Sequence, residues 1–442
     1  MKTTRMLWLC LMCGCKTVGP RVPDAYPLNP SSGNEQTSAA TPAFTPDTAG
    51  AQSSSVAIAP TPPGTKAGTT VTTASVPSLF DNNSSIITVE ITKKDWATFS
   101  ASEPKAKCDF NYIGPQYDWG TVESVKIGTT VFSGASIQKR SACESFSDSK
   151  PSFALRFDND LKTKAIQLLG HSSIVLNNSV PDDSYLRECF AFDMFRKAGV
   201  AAPRCLFARV TVNGAAAGLY IAVEPIDAAF VEKSYGKPVG NLYEFAGEYF
   251  ASWALPRVKR HLETFSGDFS LHDITNVMDT IEPAKAGDVV PLVNLIDNPS
   301  IMNFWATEIL LAHWDGLMES ATNSYIYFGG SDGKMRAIPW GTDYILNATS
   351  SVKTNHIYAT LDLPFALSQT PVQKAALARV VWRLLDTQWQ EPTMESDLRL
   401  KASLIESSIE PTSLPAWRTS VESLIAQMKV RRKQVEAFLP RQ

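Results

Sequence analysis

Histidine and cysteine are scarce in this chain, five and seven among 442 residues. No two cysteines stand as CxxC, and His261, His272 and His313 do not fall at the intervals of metal ligands, so the sequence offers no zinc site. Charge of one sign is not in excess either, because 41 Lys and Arg against 44 Asp and Glu leave a net charge of −3. No bulk field draws the chain to nucleic acid, and any basic site must be local. A GxSxG nucleophile elbow is missing, and no two acids are fixed at the separation a glycosidase pair needs. Internal repeats are absent. The basic "KVRRKQ" near the C-terminus sets apolar residues between charges and reads as a solvated helix face.

Apolar residues are plentiful, 44% hydrophobic with 10% aromatic, enough to bury a large core over two or three structural units. At the N-terminus Lys2 and Arg5 precede "MLWLCLMCGC", an apolar run too short to cross a bilayer, and residues 1–15 read as an export signal. Cys15, after Gly14, resembles the lipidated Cys of a bacterial lipoprotein, with Met12 where Leu is usual; cleavage nearby as an ordinary signal peptide is the alternative. Residues 16–85 are dominated by Ser, Thr, Pro, Ala and Gly and read as a disordered tether that holds residues 86–442 away from a membrane. Cys108, Cys143, Cys189 and Cys205 remain for the folded part, an even number that permits two disulfides with the pairing open.

The folded part starts with "SSIITVEIT" and "TVESVKIGTTVFSGASIQKRS", β-branched runs broken by Gly128 and Gly134 that read as antiparallel strands. "PSFALRFDND" adds a strand that puts Arg156 opposite Phe153, Leu155 and Phe157. In "DDSYLRECFAFDMFRKAG" a capping Asp, apolar Leu186, Phe190, Met194 and Phe195, and the stop Gly199 predict one amphipathic helix. Asn213-Gly214 predicts a tight hairpin between two β-rich runs. From about residue 240 helical patterns dominate, interrupted by the hairpin "SYIYFGGSDGKMRAIPW".

Three blocks in this order, "YLRECFAFDMFRKAGVAAPRCLFARVTVNGAAAGLYIAVEPID", "GNLYEF" and "HWDG" to "TNSYIYF" to "GKMRAIPW", resemble the spore coat protein H kinase-like family over residues 86–348. The resemblance implies an α+β, two-lobed atypical protein-kinase-like fold, with a strand-rich N-lobe over 86–240 and a mainly helical C-lobe over 241–442. It also implies binding of ATP with Mg²⁺ or Mn²⁺ and phosphate transfer to Ser or Thr of a secreted or envelope protein. Asp315 in "HWDG" is then the acid that orients the acceptor hydroxyl, although on spacing alone it reads as a turn cap. Asn323 and Asp343 are the implied metal ligands, with a turn Asn as the ordinary reading of the first. Arg156 matches a kinase's nucleotide-binding Lys, with Glu188 as its implied partner, and Glu224 falls where adenine or ribose would be met.

Two departures stand against activity. Gly341 follows Trp340 where the family usually has an acid, and Lys139 and Arg140 replace a Gly in the loop that would approach phosphate. Lys139 and Arg140 could contact phosphate by charge instead, or form a solvated loop. The rival expectation is an inactive relative that serves as a surface binding or adhesion module.

Overall fold

Period-two alternation, carried by most of the β-branched runs before residue 224, closes into one nine-stranded sheet. The computed structural model describes residues 78–81, 86–109, 112, 114–141, 143, 145–245, 250, 254–260, 262–347, 361–439 and 441. The expected export signal, Cys15 and most of the expected tether lie outside them. The strands are β1 (Ile86–Thr92), β2 (Gly120–Thr121), β3 (Ser124–Ile127), β4 (Thr130–Ser133), β5 (Ser136–Lys139), β6 (Phe153–Arg156), β7 (Ser173–Asn177), β8 (Cys205–Val212) and β9 (Ala215–Val223), in the order β2-β5-β6-β7-β9-β8-β1-β3-β4. The β8–β9 turn is the predicted one, with φ of 50° at Asn213 and 81° at Gly214 as a type I′ hairpin requires. One pairing differs from the antiparallel expectation. β1 runs parallel to β8, from Ile86 opposite Phe207 to Ile91 opposite Val212, since a strand so distant in sequence needs no hairpin to reach its partner.

Each face of the sheet feeds a separate core. On β7, Ile174 and Leu176 enter a core with Phe153, Leu155, Tyr220 and the Asp160–Leu169 helix, whereas Val175 enters the larger core with the Arg187–Lys197 helix. Phe80, buried in the first core, and Asp81, which pairs with Arg204, belong to the fold, so the expected tether to residue 85 ends earlier. A large ring in an otherwise polar stretch has more to gain from burial than its segment loses in entropy. The single expected N-lobe helix is joined by Trp96–Ala101, Asp160–Leu169 and Ala228–Tyr235.

Beyond residue 240, β10 (Asn241–Phe245), β11 (Leu262–Thr264), β12 (Ser324–Phe328) and β13 (Met335–Pro339) form a second sheet, ordered β11-β10-β12-β13. The other described residues beyond 240 are mainly helical, and the architecture is α+β. Cys108 bonds to Cys143 and Cys189 to Cys205. Among the described residues no helix is long and apolar enough to cross a membrane. The Leu414–Phe438 helix corrects the solvated-face reading of "KVRRKQ": Arg431 is buried and donates to the carbonyls of Leu310 (3.2 Å) and Ile309 (2.5 Å), capping the Asn298–Leu311 helix, while Arg432 pairs with Glu391 at 2.7 Å.

Candidate active site

The loop that carries Asp315 is cast by its own polar groups. The Asn298–Leu311 helix ends with Ala312 in the left-handed region at φ 50°. From its last turn the buried Glu308 accepts the amides of Leu317 (2.9 Å) and Met318 (3.0 Å), and so folds the chain back on itself. His313 is buried beside it, Nδ1 3.3 Å from Glu308 Oε1. Gly316 has to be glycine, because a Cβ there would lie 2.0 Å from Glu308 Oε1. On this platform Asp315 receives the Thr322 hydroxyl on Oδ1 (2.9 Å) and Asn323 Nδ2 on Oδ2 (2.5 Å).

Asn323 joins that loop to the hairpin, since its carbonyl accepts the amide of Trp340 at 3.1 Å where β12 and β13 meet. Gly341, the next residue, takes φ 54°, and a Cβ on it would stand 2.6 Å from Asn323 Oδ1. The amide oxygen thus fills the space where a side chain at 341 would start. Gly341→Ala is expected to cost about 1–2 kcal/mol from the left-handed backbone, roughly 1–3 °C in Tm, and to push Asn323 off Asp315. Gly341→Asp carries the same Cβ and is expected to lose Tm without gaining activity. Thermal melts of both variants check the first point, and an activity assay the second.

The sheet supplies the opposite wall. Glu188, buried on the Arg187–Lys197 helix, accepts Asn177 Nδ2 at 2.9 Å, and Asn177 Oδ1 accepts Ser152 Oγ at 3.3 Å. Burial, then the neighbouring Asp343, drives the Glu188 carboxyl well above the usual carboxylate range; burial, with Asp182 and Asp315 nearby, pushes Asp343 up to about 6. A buried clamp holds these parts together. Asp182 accepts the Arg187 backbone amide at 2.8 Å and pairs with its guanidinium, whose Nε donates to the Ile345 carbonyl at 3.0 Å. Between the walls lies a cavity of about 580 Å³, lined by Asp315, Asn323, Asp343, Glu188, Trp340 and Arg140 among others. Among the described residues four acids line it, Glu188, Glu244, Asp315 and Asp343, with Arg140 as their one cationic side chain.

Five of the eight residues expected from sequence therefore converge, and three do not. β5 register sets Lys139 opposite Phe153, on the core side, where Nζ donates to the carbonyls of Ser100 (2.5 Å) and Ser102 (2.8 Å) and burial lowers its pKa; Arg140, one residue on, points into the cavity. Arg156 sits at the far end of β6, pairs with Asp158 at 2.9 Å and stacks on Trp119, so it never meets Glu188. Val223 lines the cavity, and alternation turns Glu224 to the other face, against Arg204 and His171.

Glu224 is instead part of a buried ionic knot, with His171 Nε2 3.0 Å from it and Nδ1 2.9 Å from Asp227. Burial opposes both charges, yet hydrogen bonds from His171 and Arg204 bring Glu224 down to about 2, and those to Asp227 and Glu224 raise His171 to about 9. A histidine raised in the folded state stabilises fully below its unfolded value near 6.5 and loses that contribution as pH climbs through 9. His171→Gln should lower Tm clearly at pH 6, with the gap to the parent narrowing by pH 9.5.

Several positioning residues carry weaker sequence signals: Glu308 is an acid inside the apolar run "ATEILLAHW", Asn177 ends β7 and Ser152 precedes β6 as polar residues facing the cavity, and Asp182 with Arg187 stand five residues apart. Sequence shows such groups without their partners.

An acid and an amide on one loop, a second acid on the adjoining turn and a third on the facing helix form a cleft whose oxygen donors suit a hydrated cation such as Mg²⁺. The family model described as CotH kinase protein matches residues 132–435, well over half of the chain, and the chain belongs to that family. The match extends past residue 348 into the Leu414–Phe438 helix, whose Arg431 caps the helix leading to Asp315. Inner spore coat protein H of Bacillus subtilis (strain 168) is 26% identical over 187 residues, 39% of this chain and 50% of that protein, so the chain spans half the length of this curated relative. Among solved structures, the Helicobacter pylori proinflammatory kinase CtkA overlaps 65% of this chain and 92% of its own at 10% identity, with a TM-score of 0.33, too low to define a shared fold.

Proposed function

We propose that this protein is an exported kinase-like phosphotransferase that binds Mg-ATP or Mn-ATP in the cleft between its two sheets and passes phosphate to a Ser or Thr hydroxyl of a secreted or envelope protein. The observation that carries the reading is the convergence of Asp315, Asn323, Asp343 and Glu188 on one cavity of about 580 Å³, a volume suited to a small-molecule ligand. Asp315 orients the acceptor hydroxyl. Among the described residues no three His, Cys, Asp or Glu lie close enough to form a metal cage. Mg²⁺ commonly takes one or two protein ligands and completes its shell with water and phosphate oxygens, so this donor set fits a cation that arrives with its nucleotide. Asp343 and the Asn323 amide oxygen would hold it, and the cation would neutralise phosphate charge. Arg140 is the phosphate contact that replaces a glycine-lined loop.

Export is supported by the N-terminal apolar run and by two disulfides that use every cysteine of the fold, which suit an oxidising compartment. Anchoring through a lipid on Cys15 belongs to the same proposal. A second reading, a nucleotide-binding or adhesion module without transfer, is favoured by Gly341. The test is a thermal melt of the full mature chain with ATP and Mg²⁺ or Mn²⁺, beside transfer of labelled phosphate to itself or to added protein. A metal-dependent rise in Tm with incorporation supports the kinase. A rise without incorporation supports the nucleotide-binding module, and the absence of both overturns the kinase.

A further inference from the structure

A second cavity of about 600 Å³ adjoins the first, and Arg140, Ser141, Cys143 and Glu244 line both. Cys143 is tied by its disulfide to Cys108, so the strand end at Arg140 is anchored close by. Arg140 Nη2 lies 3.5 Å from Glu244 Oε1, and its guanidinium lies over the Trp340 ring at 5.8 Å. Glu244 and Tyr325 are direct cross-strand partners on β10 and β12, and Tyr325 lines the second cavity beside the pair. Both side chains of the pair remain about one-third exposed, so the contact is loose and open to the cavity.

The placement is costly for a phosphate site. Glu244 engages Arg140, the one cationic side chain among the described residues of the cavity, and adds an acid of its own beside Asp315 and Asp343. We infer that Glu244 is an internal stand-in for the anionic ligand: it occupies Arg140 while the cleft is empty and is displaced when a phosphate-bearing ligand arrives. The inference rests on the proposed nucleotide site and adds a residue that sets its affinity. Binding then includes an exchange, with Arg140 leaving a carboxylate for a phosphate, and the exchange discriminates against weakly charged anions. The nearly isosteric Glu244→Gln removes the competing charge, frees Arg140 and lowers repulsion of the incoming phosphates.

Calorimetric titration of the full mature chain with Mg-ATP and, separately, with metal-free tripolyphosphate tests this on the parent, Glu244→Gln, Arg140→Gln and the double variant. The expected result is affinity raised by about five- to tenfold in Glu244→Gln for both ligands, a gain abolished in the double variant, with little change in Tm. Parent-like or weaker binding by Glu244→Gln, while the parent binds Mg-ATP, overturns the stand-in and leaves the nucleotide site standing. An equal gain in the double variant also overturns it, because the effect would then not pass through Arg140. Absence of binding by every form overturns the stand-in and the nucleotide reading together.

Discussion

Asp315→Asn is expected to lower phosphate transfer by about 10²–10⁴-fold, the usual worth of a positioned acid or base, while the chain still folds and still binds Mg-ATP. Asn conserves the size of the side chain and can still accept the Thr322 hydroxyl on its oxygen. Its amide then faces Asn323 Nδ2, which now donates to a carboxylate oxygen at 2.5 Å, so one of the two amides must turn. That conflict is local to two side chains, because the loop itself is cast by Glu308 accepting the amides of Leu317 and Met318. Tm within about 2–3 °C of the parent, unchanged nucleotide affinity and lost incorporation would separate the chemical role from a structural one. Incorporation equal to the parent's would remove Asp315 from the reaction.

The largest expected effect on stability comes from Arg187→Ala. Asp182 is wholly buried and accepts the Ser184 amide at 2.9 Å and hydroxyl at 2.6 Å as well as the Arg187 amide, so it cannot turn to solvent when the guanidinium is removed. Breaking one side of a buried ion pair costs about 3–5 kcal/mol, which for a chain of this size is a fall of about 4–7 °C in Tm. Replacing both partners, Asp182→Asn with Arg187→Met, should recover much of the loss, because no charge is left buried and unpaired and the Asn oxygen still accepts from Ser184. The Ile345 carbonyl remains without its Nε donor in either case, and with it the turn that carries Asp343. Metal-dependent nucleotide binding is therefore expected to stay impaired in the double variant after stability has returned. Chemical denaturation and titration on the same preparations check the two halves separately.

Gly341 takes on a different meaning in the folded chain. In the sequence it is a missing carboxylate; in the structure its absent side chain makes room for the Asn323 amide oxygen, so positions 323 and 341 act as a pair.

Much of the architecture was already present in local chemistry. Asn213-Gly214 specifies its hairpin and the Asp182 region starts a helix that Gly199 stops, whereas the grouping of Asp315 with Asn323 and Asp343 follows from the family resemblance alone. The hairpin and the helix survive translation from sequence because turn residues and caps act over a few positions. What tertiary structure alone decided is the side to which each strand residue points. Lys139 and Arg140 are adjacent and both cationic side chains by type, yet register sends one to backbone carbonyls and the other to the cavity, and the same alternation turns Glu224 away from the site while Val223 lines it. Arg156 has the correct parity and the wrong position along its strand. A strand's composition marks which residues share a face, but only its hydrogen-bonded neighbours, here distant in sequence, determine which face meets the cleft and how far along it each residue stands.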